Sequence, residues 1–179
     1  MKRRLWIGVV ALGLLAVAGV TFGLRSYQVF TRQEPVAFLR CERAPGTPPG
    51  QFTLLFTQSA GPLEDLAPVA YRMTGDQWMI EGDFLKFHPW LNWAGIENRH
   101  KLTRLTSRYY SAKDERERPR TVHELNSGSG PVWRWLHEQG RWLPAVQAVY
   151  GSGSYTTARP GGRWTVYVTL SGYLVEPSN

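Results

Sequence analysis

The residues best suited to acid–base chemistry are three carboxylates that lie close together in the chain. Asp76 follows a glycine, and Glu81 and Asp83 lie on either side of another. Two carboxylates can act as general acid and general base when their surroundings separate their pKa values. Aspartate beside glycine is also typical of a turn, where its side chain accepts backbone hydrogen bonds. The turn interpretation is favoured, and an envelope enzyme using these acids with His88 or His100 is the alternative.

The histidines do not form a recognisable metal-binding or catalytic motif. They are His88, His100, His123 and His137, and no two of them have the spacing of a zinc-binding H-E-x-x-H helix. The sequence also lacks G-x-S-x-G and a G-K-[ST] phosphate loop. It therefore predicts no catalytic residue, no metal and no cofactor.

Cys41 is the single cysteine, so these 179 residues cannot form a disulfide among themselves. A free cysteine behaves as a small apolar residue, and this predicts that Cys41 is buried.

The net charge of +7 could suggest a nucleic-acid partner, but the distribution of charge does not. Lys2, Arg3 and Arg4 cluster at the start, and residues 113–120 mix both signs as a solvated loop does. No nucleic-acid-binding motif is present, so no nucleic-acid partner is predicted. Attraction to anionic lipid headgroups accounts for the modest excess of positive charge.

An apolar segment, Leu5–Leu24, contains no charged residue and is long enough as a helix to cross about 30 Å of hydrocarbon. The preceding basic residues favour a cytoplasmic N-terminus and a periplasmic location for the rest of the chain. The sequence therefore predicts a single-pass protein of the bacterial inner membrane that contacts lipid through this segment. A signal peptide cleaved after Ala18 is the alternative, and it places the remainder on the same side.

The tryptophans are the second source of candidate function. Eight are present, and only Trp6 lies in the apolar segment. Some are expected in the core, because each can bury on the order of 200 Å². At least one is expected at an interface, because amphipathic aromatics beside cations suit a headgroup layer or another protein. The predicted interaction surface consists of Lys86, Trp90, Trp93, Trp133, Arg134, Arg141 and Trp142.

Hydrophobic patterning then predicts the elements that position these residues. Residues 1–24 form the basic tip and anchor, 25–35 a connector, and 36–179 one β-rich domain of the α+β class with a few short helices. Strands are predicted at 36–42, 51–58 and 69–74, the last joined by a Gly75–Asp76 hairpin to a strand at 77–81. Gly82–Asp83 is predicted to turn again.

The second half of the chain is predicted to mix helices and strands. Pro89 and Gly95 delimit a short helix, and residues 131–150 are predicted to form two helices divided at Gly140. Residues 155–158 and 163–170 are expected to pair as a hairpin, and Ser171–Gly172 turns the chain into a last strand.

Several long stretches resemble a family of small, uncharacterised, single-pass proteobacterial membrane proteins. They are YRMTGDQWMIEGDFLKFHPWLNWAG, KLTRLTSRYY, DERERPRTVHEL and RWLPAVQAVYGSGSYTTARPGGRWTVYVTLSGYLVEP, and the resemblance covers most of residues 65–177. Members commonly carry the label of cation or multidrug efflux pump, or multidrug transporter. The resemblance supplies no catalytic or transport residues. A pump needs several spanning segments around a pathway, so a single span indicates an accessory subunit at most.

The expected function is therefore a non-catalytic interaction domain held at the membrane by its anchor. Its partner is the bilayer or another envelope protein. An accessory subunit of a transporter or efflux system and an envelope enzyme are the alternatives.

Overall fold

The computed structural model describes residues 2–61, 64–65, 67–128 and 130–178. The helices are α1 Lys2–Thr31, α2 Pro89–Trp93, α3 Ala112–Glu117 and α4 Pro131–Gln139, with a 3-10 turn at Gly140–Trp142. The strands are β1 Glu34–Glu42, β2 Gln51–Gly61, β3 Glu64–Asp65, β4 Val69–Thr74, β5 Gln77–Phe87, β6 Arg99–Arg108, β7 Val122–Glu124, β8 Val146–Thr157, β9 Arg163–Thr169 and β10 Gly172–Pro177. The predicted α+β class, mostly β, is confirmed.

The described strands form two antiparallel sheets. In the first, the order is β10-β9-β1-β2, and β2 pairs with β4 along its first half and with β3 at its C-terminal tip. In the second, the order is β7-β6-β5-β8. The short connections β4–β5 and β8–β9 each carry the chain from one sheet to the other.

The hydrophobic core contains side chains from both sheets. Leu39, Leu54 and Val166 of the first sheet belong to one buried cluster with Ile80 and Leu105 of the second. Inward and outward residues alternate along most strands, as expected for sheets with one buried face. The cluster also contains Cys41, which is fully buried as predicted. Burial raises the pKa of its thiol to about 11.

The strand directions define two ends of the domain. At the α1 end, α1 leads into β1, β5 ends, and β6 and β8 begin. The far end carries the opposite connections, at residues 43–50, 75–76, 109–121 and 158–162. These connections join the opposite tips of the same strands, so the two ends of the domain are separated by the length of the sheets.

Two turns predicted around β5 are wrong. Gly75–Asp76 joins no hairpin, because β4 pairs with β2 while β5 pairs with β6 and β8. The chain also does not turn at Gly82–Asp83, where β5 continues through a β-bulge opposite β6. A Cβ at Gly82 would overlap the Lys101 carbonyl oxygen and the Tyr173 side chain. This glycine is therefore required by close backbone packing and not by a turn.

Three other local predictions are also wrong. Residues 112–117 form a helix because Ser111 Oγ accepts hydrogen bonds from the first-turn amides. After Gly140–Trp142 the chain enters β8, which pairs with β5 along its length, so the second predicted helix is absent there. Strand β8 does not pair with β9; β9 lies between β1 and β10.

Helix α1 is longer than the predicted anchor. It continues to Thr31 through most of the expected 25–35 connector, and β1 begins inside that range at Glu34. No proline or glycine occurs between Gly23 and Pro35, so no local signal stops the helix earlier. Its stretch Trp6–Val29 is long and apolar enough to span a membrane.

Candidate interaction surface and pocket

Helix α2 is a short helix that presents two tryptophans to solvent. Local signals set both of its ends. His88 has extended geometry before Pro89, and Gly95 ends the helix with a φ of 98°. Leu91 on the inward face is buried. Trp90 and Trp93, three residues apart on the outward face, are 62% and 40% exposed.

Helix α1 packs against this face of α2. The rings of Phe22 and Trp93 lie 5.4 Å apart, and the Arg25 guanidinium lies 5.6 Å from the centre of the Trp93 ring. Just after α1, Arg32 pairs with Glu97 on the loop after α2 and with Glu34 at 3.6 Å. The end of the apolar helix is thereby joined to the α1 end of the β domain.

The segment before β8 adds further exposed apolar side chains beside α2. The His88 amide donates to the Ala145 carbonyl at 3.2 Å, which holds the two segments together. Trp142, just upstream, is 73% exposed, and Leu143 is also exposed. Exposed tryptophans from two separate parts of the sequence therefore lie at the same end of the domain, the α1 end.

The remaining residues of the predicted surface have different locations. Lys86 is half-buried, one residue before β5 ends. Trp133 and Arg134 lie in the first turn of α4, and Gly130, the residue before this helix, lies near the side chain of Lys101 on β6. The side chain of Arg141 lies outside the described part of the chain. The structure thus places Trp90, Trp93 and Trp142 at the α1 end, whereas Trp133 and Arg134 lie at the opposite end of α4 from the Gly140–Trp142 turn.

A cavity of about 510 Å³ lies between α1 and the β domain at this end. Asn98 organises its wall: its Oδ1 accepts from the Phe87 amide at 3.0 Å, and its Nδ2 donates to the Leu170 carbonyl at 3.4 Å. The charged residues that line the cavity are Arg25, Arg32, Glu34, Glu97 and Arg99. We call this cavity the α1 pocket.

The floor of the α1 pocket includes His100, which contacts the core. Its Nδ1 lies 3.3 Å from the Tyr173 hydroxyl, and its ring stacks on Phe84. Burial lowers the pKa of His100 below its ordinary value of 6.5, although Glu34 acts in the opposite direction. The histidine is therefore a neutral group at neutral pH.

Sequence reasoning missed the α1 pocket and its three arginines. One signal was present: Arg25 and Arg32 are seven residues apart and share a face if the helix continues past Leu24. No local signal connects them with Arg99 or Leu170, which reach the same place only through strand pairing.

The structure brings together only two of the three carboxylates of the alternative enzyme site. Glu81 and Asp83 line a second cavity, of about 470 Å³, on the outer face of β5. Arg104 Nε lies 2.8 Å from Glu81, and His137 Nε2 lies 3.5 Å from Asp83. Asp76 is at the far end, where it accepts a hydrogen bond from the Tyr110 amide.

The two histidines that the enzyme alternative combines with these acids lie away from the second cavity. His88 and His100 lie at the α1 end, and neither lines the second cavity. Among the described residues, no group of three or more His, Cys, Asp or Glu side chains could hold a metal ion.

Comparisons with known proteins add no relative. No family model, curated protein or solved structure matches this chain.

Proposed function

We propose that this chain is a single-pass inner-membrane protein with a cytoplasmic N-terminus and a periplasmic β domain that rests on the membrane surface. Its role is interaction and not catalysis. One observation carries the proposal: the exposed Trp90, Trp93 and Trp142 lie at the end of the domain from which α1 extends. Tryptophan is enriched where a membrane protein meets the headgroup layer.

The energetics of such a contact are favourable. An indole that buries about 100 Å² of its exposed surface contributes about 2.5 kcal/mol at ~25 cal/mol per Å². Helix α1 tethers the domain to the bilayer, so the contact is effectively intramolecular and needs little affinity to be populated. Three exposed tryptophans supply enough apolar surface for this purpose.

Fluorescence quenching by brominated lipids tests the proposal. Full-length protein is placed in nanodiscs whose phospholipids carry bromine on the acyl chains near the headgroup. We expect quenching of the wild type, and substantially less in the variant that combines Trp90→Ala with Trp93→Ala. Trp78→Phe is the control, because it removes a buried indole near the far end.

The result that contradicts this proposal is unchanged quenching in the double variant while the β domain remains folded by circular dichroism. Protease digestion of a C-terminal tag in intact spheroplasts checks the orientation separately. A periplasmic domain predicts loss of the tag without lysis.

A second candidate is an accessory subunit of a membrane transporter. It is supported by the family resemblance and by the open face of α1 at Gly19 and Gly23, where an added Cβ would meet no atom within 4 Å. A G-x-x-x-G face of this kind allows close packing of spanning helices. Crosslinking of intact membranes should then capture one defined complex, and Gly19→Leu with Gly23→Leu should abolish its capture. Recovery of the bait alone would exclude this candidate.

A further inference from the structure

The α1 pocket contains cationic side chains for which the proposed function gives no role. Along α1, Phe22, Arg25 and Val29 recur at three- and four-residue spacing, so they share the face turned toward the β domain, and Arg32 directly follows the helix end. Phe22 contacts Trp93, and the other three line the pocket. One side of a single helix thus changes from apolar to cationic where it reaches the domain.

The length of this cationic stretch matches the headgroup layer of a bilayer. The uncharged part of α1 ends at Leu24, after about 30 Å of helix. From Arg25 to its end at Thr31 the helix advances about 9 Å, and each headgroup layer is about 5 to 8 Å thick. If α1 spans the bilayer, the pocket opens at the depth of the lipid phosphates.

The arginines of the pocket differ in whether a carboxylate pairs with them. Arg32 pairs with both Glu34 and Glu97. Among the described residues, no carboxylate pairs with Arg25 or Arg99, although both line the cavity. The arginine guanidinium presents planar, forked donors that match phosphate oxygens. Two such cations beside amide side chains form a site suited to a phosphate group.

We propose that the α1 pocket binds the phosphodiester headgroup of a membrane phospholipid, with Arg25 and Arg99 as its phosphate ligands. This inference depends on the proposed function, because it requires the α1 end to face the bilayer. A free phosphate shares the same chemistry. The lipid is favoured because Phe22 and Trp93 pack together about one helical turn from Arg25 toward the apolar part of α1, where acyl chains would lie.

Native mass spectrometry of the full-length protein tests this proposal. The protein is reconstituted in nanodiscs of phosphatidylethanolamine and phosphatidylglycerol, released into mild detergent, and weighed with any retained lipid. We expect one retained phospholipid on the wild type. Retention should fall roughly tenfold or more in Arg25→Gln with Arg99→Gln, the scale expected for losing a charge-assisted hydrogen bond. Arg116→Gln with Arg159→Gln, which removes two exposed far-end arginines, should retain lipid like the wild type.

Conservative and single variants guard against a folding artefact. Arg99→Lys keeps the charge and should retain part of the binding. Arg99→Gln alone changes an exposed side chain and should lower retention even if the double variant does not fold. Equal retention by wild type and by folded Arg25→Gln with Arg99→Gln would overturn the proposal. So would millimolar inorganic phosphate that displaces the lipid from the wild type as an equal competitor, because the pocket would then be a site for free phosphate.

Quenching by brominated lipid, measured on the same samples, separates the two proposals. If the tryptophans are quenched but lipid retention ignores Arg25 and Arg99, only the headgroup site is wrong. If the Trp90→Ala and Trp93→Ala variant is quenched like the wild type, the membrane-facing surface is wrong, whatever the lipid retention.

Discussion

The two ends of the β domain use the same residue type in opposite ways. Toward the far end, Trp78 and Trp164 are buried and meet edge to face with ring centres 5.5 Å apart. At the α1 end, Trp90, Trp93 and Trp142 project outward from α2 and from the turn before β8. Tryptophan content alone therefore does not identify a surface. The location of each tryptophan relative to α1 is needed as well.

The surroundings of the two groups differ as well. The far end is covered by short-range polar contacts, including the Asp114–Arg118 and Glu115–Arg120 ion pairs around α3. The α1 end exposes three tryptophans, with Arg25 over the Trp93 ring, whereas the exposed aromatic side chains of the far end are the tyrosines Tyr110 and Tyr155. A mixed-charge surface is ordinary for a solvated loop, whereas clustered exposed aromatics are typical of an interface. The contrast supports a membrane contact at only one end, and the following predictions test it.

The largest expected effect comes from exchanging one tryptophan at each end for alanine. Trp78→Ala removes a fully buried side chain and should lower the free energy of unfolding by about 3–5 kcal/mol. Trp142→Ala should change it by no more than about 0.5 kcal/mol, because the indole is largely exposed. Chemical denaturation of the full-length protein in detergent, followed by far-ultraviolet circular dichroism, measures both. Equal decreases in the free energy of unfolding would contradict the assignment of Trp78 to the core and of Trp142 to the surface.

A smaller effect is expected at the far end from the cap of α3. Ser111 Oγ accepts hydrogen bonds from the Lys113 and Asp114 amides at 3.2 and 3.4 Å. Ser111→Ala should therefore lower the free energy of unfolding by about 1 kcal/mol. Ser111→Asp, which keeps a capping oxygen, should remain close to the wild type. Neither change should alter quenching by brominated lipid; an altered quenching would mean that the two ends are coupled.

Acid should act on the α1 end through His100. Burial lowers its pKa below 6.5, so the unfolded chain takes up a proton at a higher pH than the folded one. The stability due to the neutral ring is complete above about pH 6.5 and is lost as the pH falls through the folded-state pKa. Unfolding measured from pH 8 to 5 should show this decline in the wild type and less of it in His100→Gln. An identical slope in the variant would contradict the assignment.

The smallest effect belongs to the exposed ion pair on α3. Asp114 and Arg118 are four residues apart, with Oδ1 and Nε separated by 3.1 Å. A double-mutant cycle with Asp114→Ala and Arg118→Ala should give a coupling free energy of about 0.3–0.5 kcal/mol that decreases in high salt. A coupling several times larger would mean that the far end is held by a cooperative ion network.

The elements that sequence predicted best are those with local boundary signals. Helix α2 begins at Pro89 and ends before Gly95, and β4 occupies the predicted 69–74. The final turn at Ser171–Gly172 also joins paired strands, β9 and β10. In each case, the backbone preferences of a few neighbouring residues are sufficient.

Strand pairing was predictable only where consecutive strands are partners. A two-residue link such as Gly75–Asp76 can close a hairpin or carry the chain between sheets, and its composition does not distinguish them. The choice depends on which distant strand buries the side chains on each side of the link. Here β4 is completed by β2, and β5 is completed by β6 and β8.

The candidate site shows the same limit. Helical periodicity anticipates that Trp90 and Trp93 lie on one face, but not that Trp142 lies at the same end of the domain. The α1 pocket depends on the pairing of β5 with β6, which brings Arg99 to the end of the domain reached by α1, and on the pairing of β1 with β9, which brings Val168 there. Such contacts are separated by tens of residues in the chain, and no local pattern encodes them.

The sequence by itself determined an apolar segment of spanning length, the α+β class, and a lone cysteine suited to the core. These properties follow from composition and from periodicity within short windows. Only the tertiary structure decided which tryptophans are buried, which of them are exposed, and that Arg25, Arg32 and Arg99 surround one cavity. The reason is physical: exposure and proximity are set by long-range strand pairing, which buries one face of each sheet and assigns each loop to one end.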